Sequence, residues 1–258
     1  MTKSAAVLSL TILILAGSVP ANAQSESGLI RDIRIKATAG FEYFQRTIAW
    51  DESDETTKLK SSLFTFRPSL EFNQRVALAG VVGYTLSNHA SITCRELPIS
   101  VELDSGSIGG WIFGGELAAM LVETGDFEIG VRGEYVIYTG KEQILEIPGL
   151  AVEGEMTTQS QWRRAHAGLQ FTYVRYTYIY PYLRVAYDDL RGRLDIQQDI
   201  LDLTGSQERT LKSRGKFNAV LGLDYEPIDR WTIKGELSIL PNSSSVDWGA
   251  MASLSYAF

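Results

Sequence analysis

The chain has 258 residues, 45% of them hydrophobic, with a mean hydropathy of −0.04 and a formal net charge of −7. That length suits one or two soluble domains or one medium barrel, and the acidic balance argues against nucleic acid as a partner. Beyond residue 23 no run reaches the roughly 18 apolar residues of a spanning helix. A membrane barrel has no such run either, because only alternate residues meet lipid, so periodicity has to decide.

The chain opens with Lys3, the apolar run from Ala5 to Ala16, then Gly17, Pro20 and the small-residue site Ala21-Asn22-Ala23. This reads as a secretory signal over 1–23 with cleavage before Gln24, leaving 24–258 as the mature domain with net charge −8 once Lys3 is lost. No cysteine follows the signal directly, so a lipid-anchored lipoprotein is not expected. Cys94 is the single cysteine and cannot form an internal disulfide. An exported chain of this size without disulfides must be held together in another way.

The first strand alternates Ile33, Ile35, Ala37, Ala39, Phe41 and Tyr43 with polar or small residues and runs into the acidic stretch 51–55. The second carries Phe64, Phe66, Leu70 and Phe72 on one face, with Pro68 predicting a bulge. A tight turn at Asn73-Gln74 leads to Val76, Leu78, Gly80, Val82 and Tyr84, followed by a long irregular segment over 87–107. The fourth strand (Trp111, Phe113, Leu117, Ala119, Leu121) alternates more weakly. It turns at Thr124-Gly125-Asp126 into Phe127, Ile129, Val131, Gly133, Tyr135 and Ile137. A long loop over 140–161 precedes Ala165, Ala167, Leu169, Phe171 and Tyr173. A brief turn near 175–177 gives the seventh strand, Leu183, Val185 and Tyr187. A third long excursion, 189–214, leads to Phe217, Ala219, Leu221, Leu223 and Tyr225. The turn Glu226-Pro227-Ile228-Asp229 precedes Trp231, Ile233, Gly235, Leu237 and Ile239, and a loop over 241–245 the last strand. That strand places Val246, Trp248, Ala250, Ala252, Leu254, Tyr256 and Phe258 at every second position.

A period of two with one apolar face marks strands between an apolar and a polar medium. Ten such strands, joined alternately by short turns and long loops, predict an all-β fold: a single antiparallel transmembrane β-barrel, with eight strands if two weaker ones merge. Short turns and both chain ends are then periplasmic, and long loops outside. Backbone polar groups in lipid find no water, so the strands must close into a ring. Aromatics support this arrangement. Phe72, Phe127, Tyr173, Tyr225, Trp231, Tyr256 and Phe258 lie near the short-turn ends, and Tyr43, Tyr84, Trp111, Tyr135, Tyr187 and Trp248 nearer the long loops, as two girdles.

A last strand ending on Tyr256 and Phe258 resembles the terminal strand of bacterial outer-membrane β-barrels. The resemblance implies the cell outer membrane of a Gram-negative bacterium. It also implies contact with outer-membrane lipid and lipopolysaccharide, recognition of that strand by the assembly machinery, and a monomer.

By strand parity the lumen receives Arg34, Lys36, Arg67, Arg132, Arg164, Arg184, Lys216 and Lys234. The same parity places Glu42, Glu71, Glu116, Glu128, Glu134, Asp188, Asp224 and Glu236 beside them. Balanced charges argue against a strongly ion-selective pore. They either cross-pair as a plug or line a narrow channel for small solutes.

Three constellations bear on catalysis or binding. His89-Ala90-Ser91 has the His-x-Ser spacing of outer-membrane lipid hydrolases, but parity turns His89 and Ser91 inward or into the loop, and Ile92 and Thr93 replace the Asn-Gly continuation. Ten strands with five outer loops are similar to the omptins, whose proteolysis sets an aspartate pair against an Asp-His pair. Glu102-Leu103-Asp104 matches the acidic half, but the opposing loop has Asp195, Asp199 and Asp202 without histidine, and His166 sits on the sixth strand. Acidic tips at Asp51, Glu52, Asp54 and Glu55, and at Glu142, Glu146, Glu153 and Glu155, are solvated acids by default and divalent-cation ligands otherwise, with no calcium-loop spacing. Leu194, Ile196, Ile200, Leu201 and Leu203 make the fourth loop apolar, suited to packing over the barrel mouth or to a partner.

No catalytic, cofactor-binding or metal residue is therefore assigned, and no cofactor is expected. The expected function is a non-enzymatic outer-membrane barrel with loops for surface interaction or envelope integrity. A narrow solute channel and an omptin-like or lipid-hydrolase-like surface enzyme are the alternatives.

Overall fold

The computed structural model describes residues 32–50, 56–89, 92–94, 97, 101–103, 106–147, 154–242 and 245–258. These form strands and turns only: β1 (Ile33–Trp50), β2 (Thr56–Phe72), β3 (Val76–His89), β4 (Ile92–Cys94), β5 (Val101–Leu103), β6 (Ser107–Thr124), β7 (Phe127–Gly140), β8 (Gln143–Glu146), β9 (Gly154–Tyr173), β10 (Ile179–Ile200), β11 (Leu203–Ser213), β12 (Phe217–Ile228), β13 (Trp231–Pro241) and β14 (Val246–Ala257). The predicted signal segment and the 51–55 tip lie outside the described residues.

Ten strands close a ring. β1, β2, β3, β6, β7, β9, β10, β12, β13 and β14 each pair antiparallel with the next, and β14 returns to β1 from Lys36↔Ala257 to Phe44↔Gly249. Closure leaves no unpaired edge, the condition for crossing hydrocarbon. Around this ring the outward face is apolar. On β10, Leu183, Val185 and Tyr187 are exposed while Tyr182, Arg184, Ala186 and Asp188 are buried. Such an uninterrupted apolar belt suits lipid and not water. Ring pairs bracket it. Tyr43–Trp248, Tyr84–Trp111 and Tyr187–Phe217 lie toward the long hairpins at centroid distances of 5.1, 5.6 and 6.1 Å. Phe127–Tyr173 and Trp231–Tyr256, at 5.2 and 4.9 Å, lie at the short-turn end.

Beyond the belt, on the long-hairpin side, the ring changes membership. β1 leaves β14 after Phe44 and pairs with β11 from Ile48↔Ser213 to Trp50↔Leu211. β10 leaves β12 after Tyr187↔Phe217 and pairs with β11 from Arg191↔Lys212 onward. β11 thus replaces the three strands β12, β13 and β14, and the ring narrows from ten strands to eight: β1, β2, β3, β6, β7, β9, β10 and β11. Asp247 holds the switch point, accepting from Thr47 N at 2.7 Å, Thr47 Oγ1 at 2.8 Å and Asn242 Nδ2 at 3.2 Å. Eight strands enclose only enough space for side chains, and here Phe44, Ile48, Leu59, Leu63, Tyr138, Trp162, Leu190, Leu194 and Leu211 are all buried, together with polar residues such as Ser87, His89, Ser160, Gln198 and Arg209. The outward positions turn polar, with Lys58, Lys60, Arg191, Arg193 and Glu208 exposed.

Several expectations are corrected. Among the described residues, the segments 87–107, expected to be irregular, and 140–161 and 189–214, expected to be long loops, are mostly strand. β3 reaches His89, β4 and β5 pair, β8 pairs with β9, and β10–β11 is a long hairpin. Pro68 causes no bulge. Ala37↔Pro68 keeps the β1–β2 register, and Phe66↔Val82 and Ser69↔Ala79 share one β2–β3 register, so only the rungs between them are missing. The bulges fall at Met120/Val122, which weakens the alternation of β6, and at Tyr225/Ile228, beside Pro227. The second bulge extends β12, so the turn is Asp229-Arg230, with Arg230 at φ 81°. The turns at Asn73-Gln74 and Gly125 are as expected, all three residues having positive φ.

Candidate functional site

Within the belt the interior is a cluster of charge. Neighbouring strands place Glu116 opposite Glu134, Glu134 opposite His166, and His166 opposite Asp188, so three carboxylates and an imidazole share one rung. Like charges at adjacent positions repel, and arginines from several strands separate them. Arg67 reaches Glu134 at 2.8 Å and Glu116 at 2.9 Å. Arg132 reaches Glu116 at 2.8 Å and Glu236 at 3.4 Å. Arg164 reaches Glu134 at 2.8 Å and Glu42 at 3.0 Å, and Arg184 reaches Glu236 at 2.7 Å. Arg46 lies 3.5 Å from Asp188, and Tyr182 donates its hydroxyl to Glu236. Five arginines meet five carboxylates, so the buried cluster is neutral in sum. Charged groups out of water persist only with such multiple, well-directed contacts.

On the short-turn side of this cluster a cavity of about 340 Å³ opens outward, floored by Arg67, Glu116 and Arg132. Its rim pairs Lys36 with Glu71 at 2.7 Å and Lys234 with Asp224 at 3.2 Å. Within the cluster only about 50 Å³ of space remains. On the other side the apolar plug begins. Trp162 stacks on Tyr138 at 5.1 Å and meets Phe44 edge-on at 5.7 Å, while Arg164 sits 5.3 Å over Phe44. Tyr138 donates to Ile108 O at 2.9 Å and the Trp162 indole to Ser87 Oγ at 3.2 Å, so both aromatic polar atoms are satisfied. The interior is thus vestibule, ionic layer and plug in sequence.

Most predicted lumen residues sit in the ionic layer or on the vestibule rim. Arg34 stands half-exposed at the short-turn end beside Asp32, at 3.4 Å. Lys216 is a correction. It lies on the outside at the girdle, 2.6 Å from Asp189 and 3.3 Å from the Tyr187 hydroxyl, because β12 begins one residue later and 216 is no longer governed by its parity. Arg46 was missed, although alternation continues through Phe44, Arg46, Ile48 and Trp50. There the apolar residues face inward, so the pattern looks broken.

His89 does point inward, fully buried, but its Nε2 lies 2.8 Å from Ser160 Oγ; Ser91 lies outside the described residues. Burial lowers its pKa to about 4, and Trp50 packs against it at 6.1 Å. Among the described residues its Nδ1 has no hydrogen-bond partner, and none of them is an acid that orients the ring for base catalysis. The structure does bring together an Asp-His pair, Asp188 and His166, with Oδ2 and Nδ1 3.4 Å apart. It is buried in the ionic layer beneath the plug, and Arg46 approaches the same carboxylate oxygen.

Of the proposed acidic half, Glu102 lies on β5 and Asp104 outside the described residues. Asp195 pairs with Arg193 at 3.3 Å and Asp199 accepts from Gln197 at 3.0 Å, both toward solvent. Glu142 and Glu155 are exposed, Glu146 lies on β8, and Glu153 falls outside the described residues. No group of three metal-ligating side chains converges among the described residues. The apolar fourth loop divides: Leu194, Ile196 and Ile200 fill the plug, whereas Leu201 and Leu203 are 75% and 61% exposed at the hairpin tip.

No protein-family model and no curated protein sequence matches the chain. Solved structures do share its architecture. The outer membrane protease OmpT from Escherichia coli aligns at a TM-score of 0.49 and 9% identity, covering 91% of this chain and 99% of that one. The beta domain of the Bordetella autotransporter BrkA gives 0.48 and 13%, covering 88% and 100%. Ail, the attachment invasion locus protein of Yersinia pestis, gives 0.36 and 12%, covering 87% and 99%. The structural neighbours of this antiparallel ring are bacterial outer-membrane β-barrels.

Proposed function

We propose that the chain is an exported, monomeric outer-membrane barrel that does not conduct, and that its eight-stranded extension is a rigid platform for interaction outside the cell. The observation that carries this reading is the sealed interior: a neutral ionic layer backed by a plug of buried aromatics and leucines. A conducting pore needs a continuous wet path, and the narrowing to eight strands works against one. The orientation follows from the short turns and both ends of the ring lying on one side, which is the periplasmic side in barrels of this kind. Tyr256 and Phe258, at the end of the strand that closes the ring, support recognition by the assembly machinery. Purified protein in planar bilayers is expected to give no stable conductance steps. Steps of fixed size from the intact chain would replace this reading with the channel.

A further inference from the structure

Six buried polar atoms of the ionic layer have no hydrogen-bond partner among the described residues: Arg46 Nε, Arg164 Nε, Arg184 Nε, His166 Nε2, Asp188 Oδ1 and Asn218 Oδ1. Their side chains come from β1, β9, β10 and β12, and all of them line the same cavity of about 50 Å³. Apart from His166, each of these residues is at most 5% exposed. Polar groups buried in a folded protein are as a rule bonded to protein or to ordered water. Six such atoms around one small space therefore call for an occupant, and their chemistry selects it. The three guanidinium Nε–H groups only donate, whereas the oxygens of Asp188 and Asn218 accept. The Nδ1 of His166 faces Asp188 Oδ2 at 3.4 Å, which places the proton of a neutral ring on Nδ1 and leaves Nε2 to accept. A cation would meet three arginine donors. An anion would meet the Asp188 carboxylate, in a layer whose arginines and carboxylates already pair off. Three donors facing three acceptors fit a neutral molecule that does both.

We propose that this cavity is a structural hydration site holding about three ordered waters, which join Asp188, His166 and Asn218 to the three arginines. A buried water needs roughly 10–15 Å³ of such volume and makes about three hydrogen bonds, so three waters fit the space and satisfy all six atoms. They enter from the vestibule, because the plug closes the other side. That route rests on the sealed reading above, whereas the site itself does not. Water is then a structural part of the ionic layer, and the wet half of the barrel ends at Phe44 and Trp162.

The test is a crystal structure of the full chain, sharp enough to show ordered water and grown with sodium bromide in the mother liquor. Density for about three waters is expected between Asp188 Oδ1, Asn218 Oδ1 and the arginine Nε atoms, with no anomalous bromide signal there. A bromide peak in the cavity overturns the proposal in favour of an anion site, and a cavity without density overturns it outright. Oxygen-17 relaxation dispersion in detergent counts long-lived internal waters independently of crystals. Asn218→Leu removes one acceptor and fills part of the space, so it is expected to hold about one such water fewer than wild type. Asn218→Ser keeps an acceptor and is expected to keep the wild-type count, which separates loss of the site from a general loosening of the barrel. If Asn218→Leu does not fold, Ser238→Val, which fills the same cavity from β13, is expected to lower the count instead. A count unchanged in the filling variants overturns the proposal.

Discussion

The belt and the extension are built from the same continuous strands, yet their radial order is reversed. On β10 the odd residues Leu183, Val185 and Tyr187 face out and are apolar, and the even residues Arg184 and Asp188 face in and are charged. A few residues later Arg191 and Arg193 face out, and Leu190, Leu194 and Ile196 face in. Backbone alternation does not change along the strand; the medium outside it does. In the belt lipid accepts the apolar face and the charges must satisfy one another inside. In the extension water surrounds the wall, and leucines and aromatics fill the core with buried polar groups such as His89, Gln198 and Arg209 among them. Narrowing from ten strands to eight allows that second core to be filled by side chains alone.

Breaking each core in turn tests the comparison. Glu134→Gln leaves Arg67 and Arg164 without their shared carboxylate, and is expected to cost about 3–5 kcal/mol of unfolding free energy. Trp162→Ala opens a cavity between Tyr138 and Phe44 and is expected to cost about 3–5 kcal/mol, whereas Leu221→Ala on the lipid face costs far less because lipid fills the space. All three are measured by denaturant unfolding in detergent or lipid.

Acid separates the two cores further. His89 is buried in neutral form with its pKa lowered from 6.5 to about 4. An unfolded chain takes up the proton first, so the stability His89 permits is complete above about pH 6.5 and falls as the pH drops toward 4. The loss amounts to on the order of 3 kcal/mol. His89→Gln is expected to flatten that part of the curve, read as melting temperature against pH. An unchanged slope would mean that the ring is not held neutral in the plug.

The smallest expected effect is at the hairpin tip. Leu201 holds φ 52° while exposed, a conformation costly for a residue with a β-carbon, so Leu201→Gly is expected to raise stability by up to about 1 kcal/mol. A decrease would show that the leucine packs against something the strained backbone serves.

These contrasts also explain what was legible in the sequence. The belt was readable because apolar and aromatic side chains repeat at every second position with lipid on one side, and the ten ring strands followed. Beyond the belt the apolar side chains move from the odd to the even positions of β10, as at Leu190, Leu194 and Ile196, so the segment reads as an apolar loop. Charge balance in the lumen was visible by counting. The pairings were not, because Arg67 on β2 reaches Glu134 on β7 across the ring, and no local spacing encodes that contact. Parity leaves His89 inward or in the loop; the structure has it inward, with a partner, Ser160, 71 residues away that no local spacing encodes. The Asp188–His166 pair lies between facing positions of β9 and β10, and strand register, not local spacing, brings the two together.

The most direct test is a spin-label scan of β10 from Leu183 to Asp199 in bilayers, comparing collisions with oxygen, which concentrates in lipid, and with a water-soluble nickel complex. The account predicts oxygen access at 183, 185 and 187, nickel access at 191, 193, 195, 197 and 199, and neither at the even positions throughout. Nickel access at even positions from 190 onward would mean an open, wet lumen, and oxygen access at odd positions to the hairpin tip would mean that no change of medium occurs.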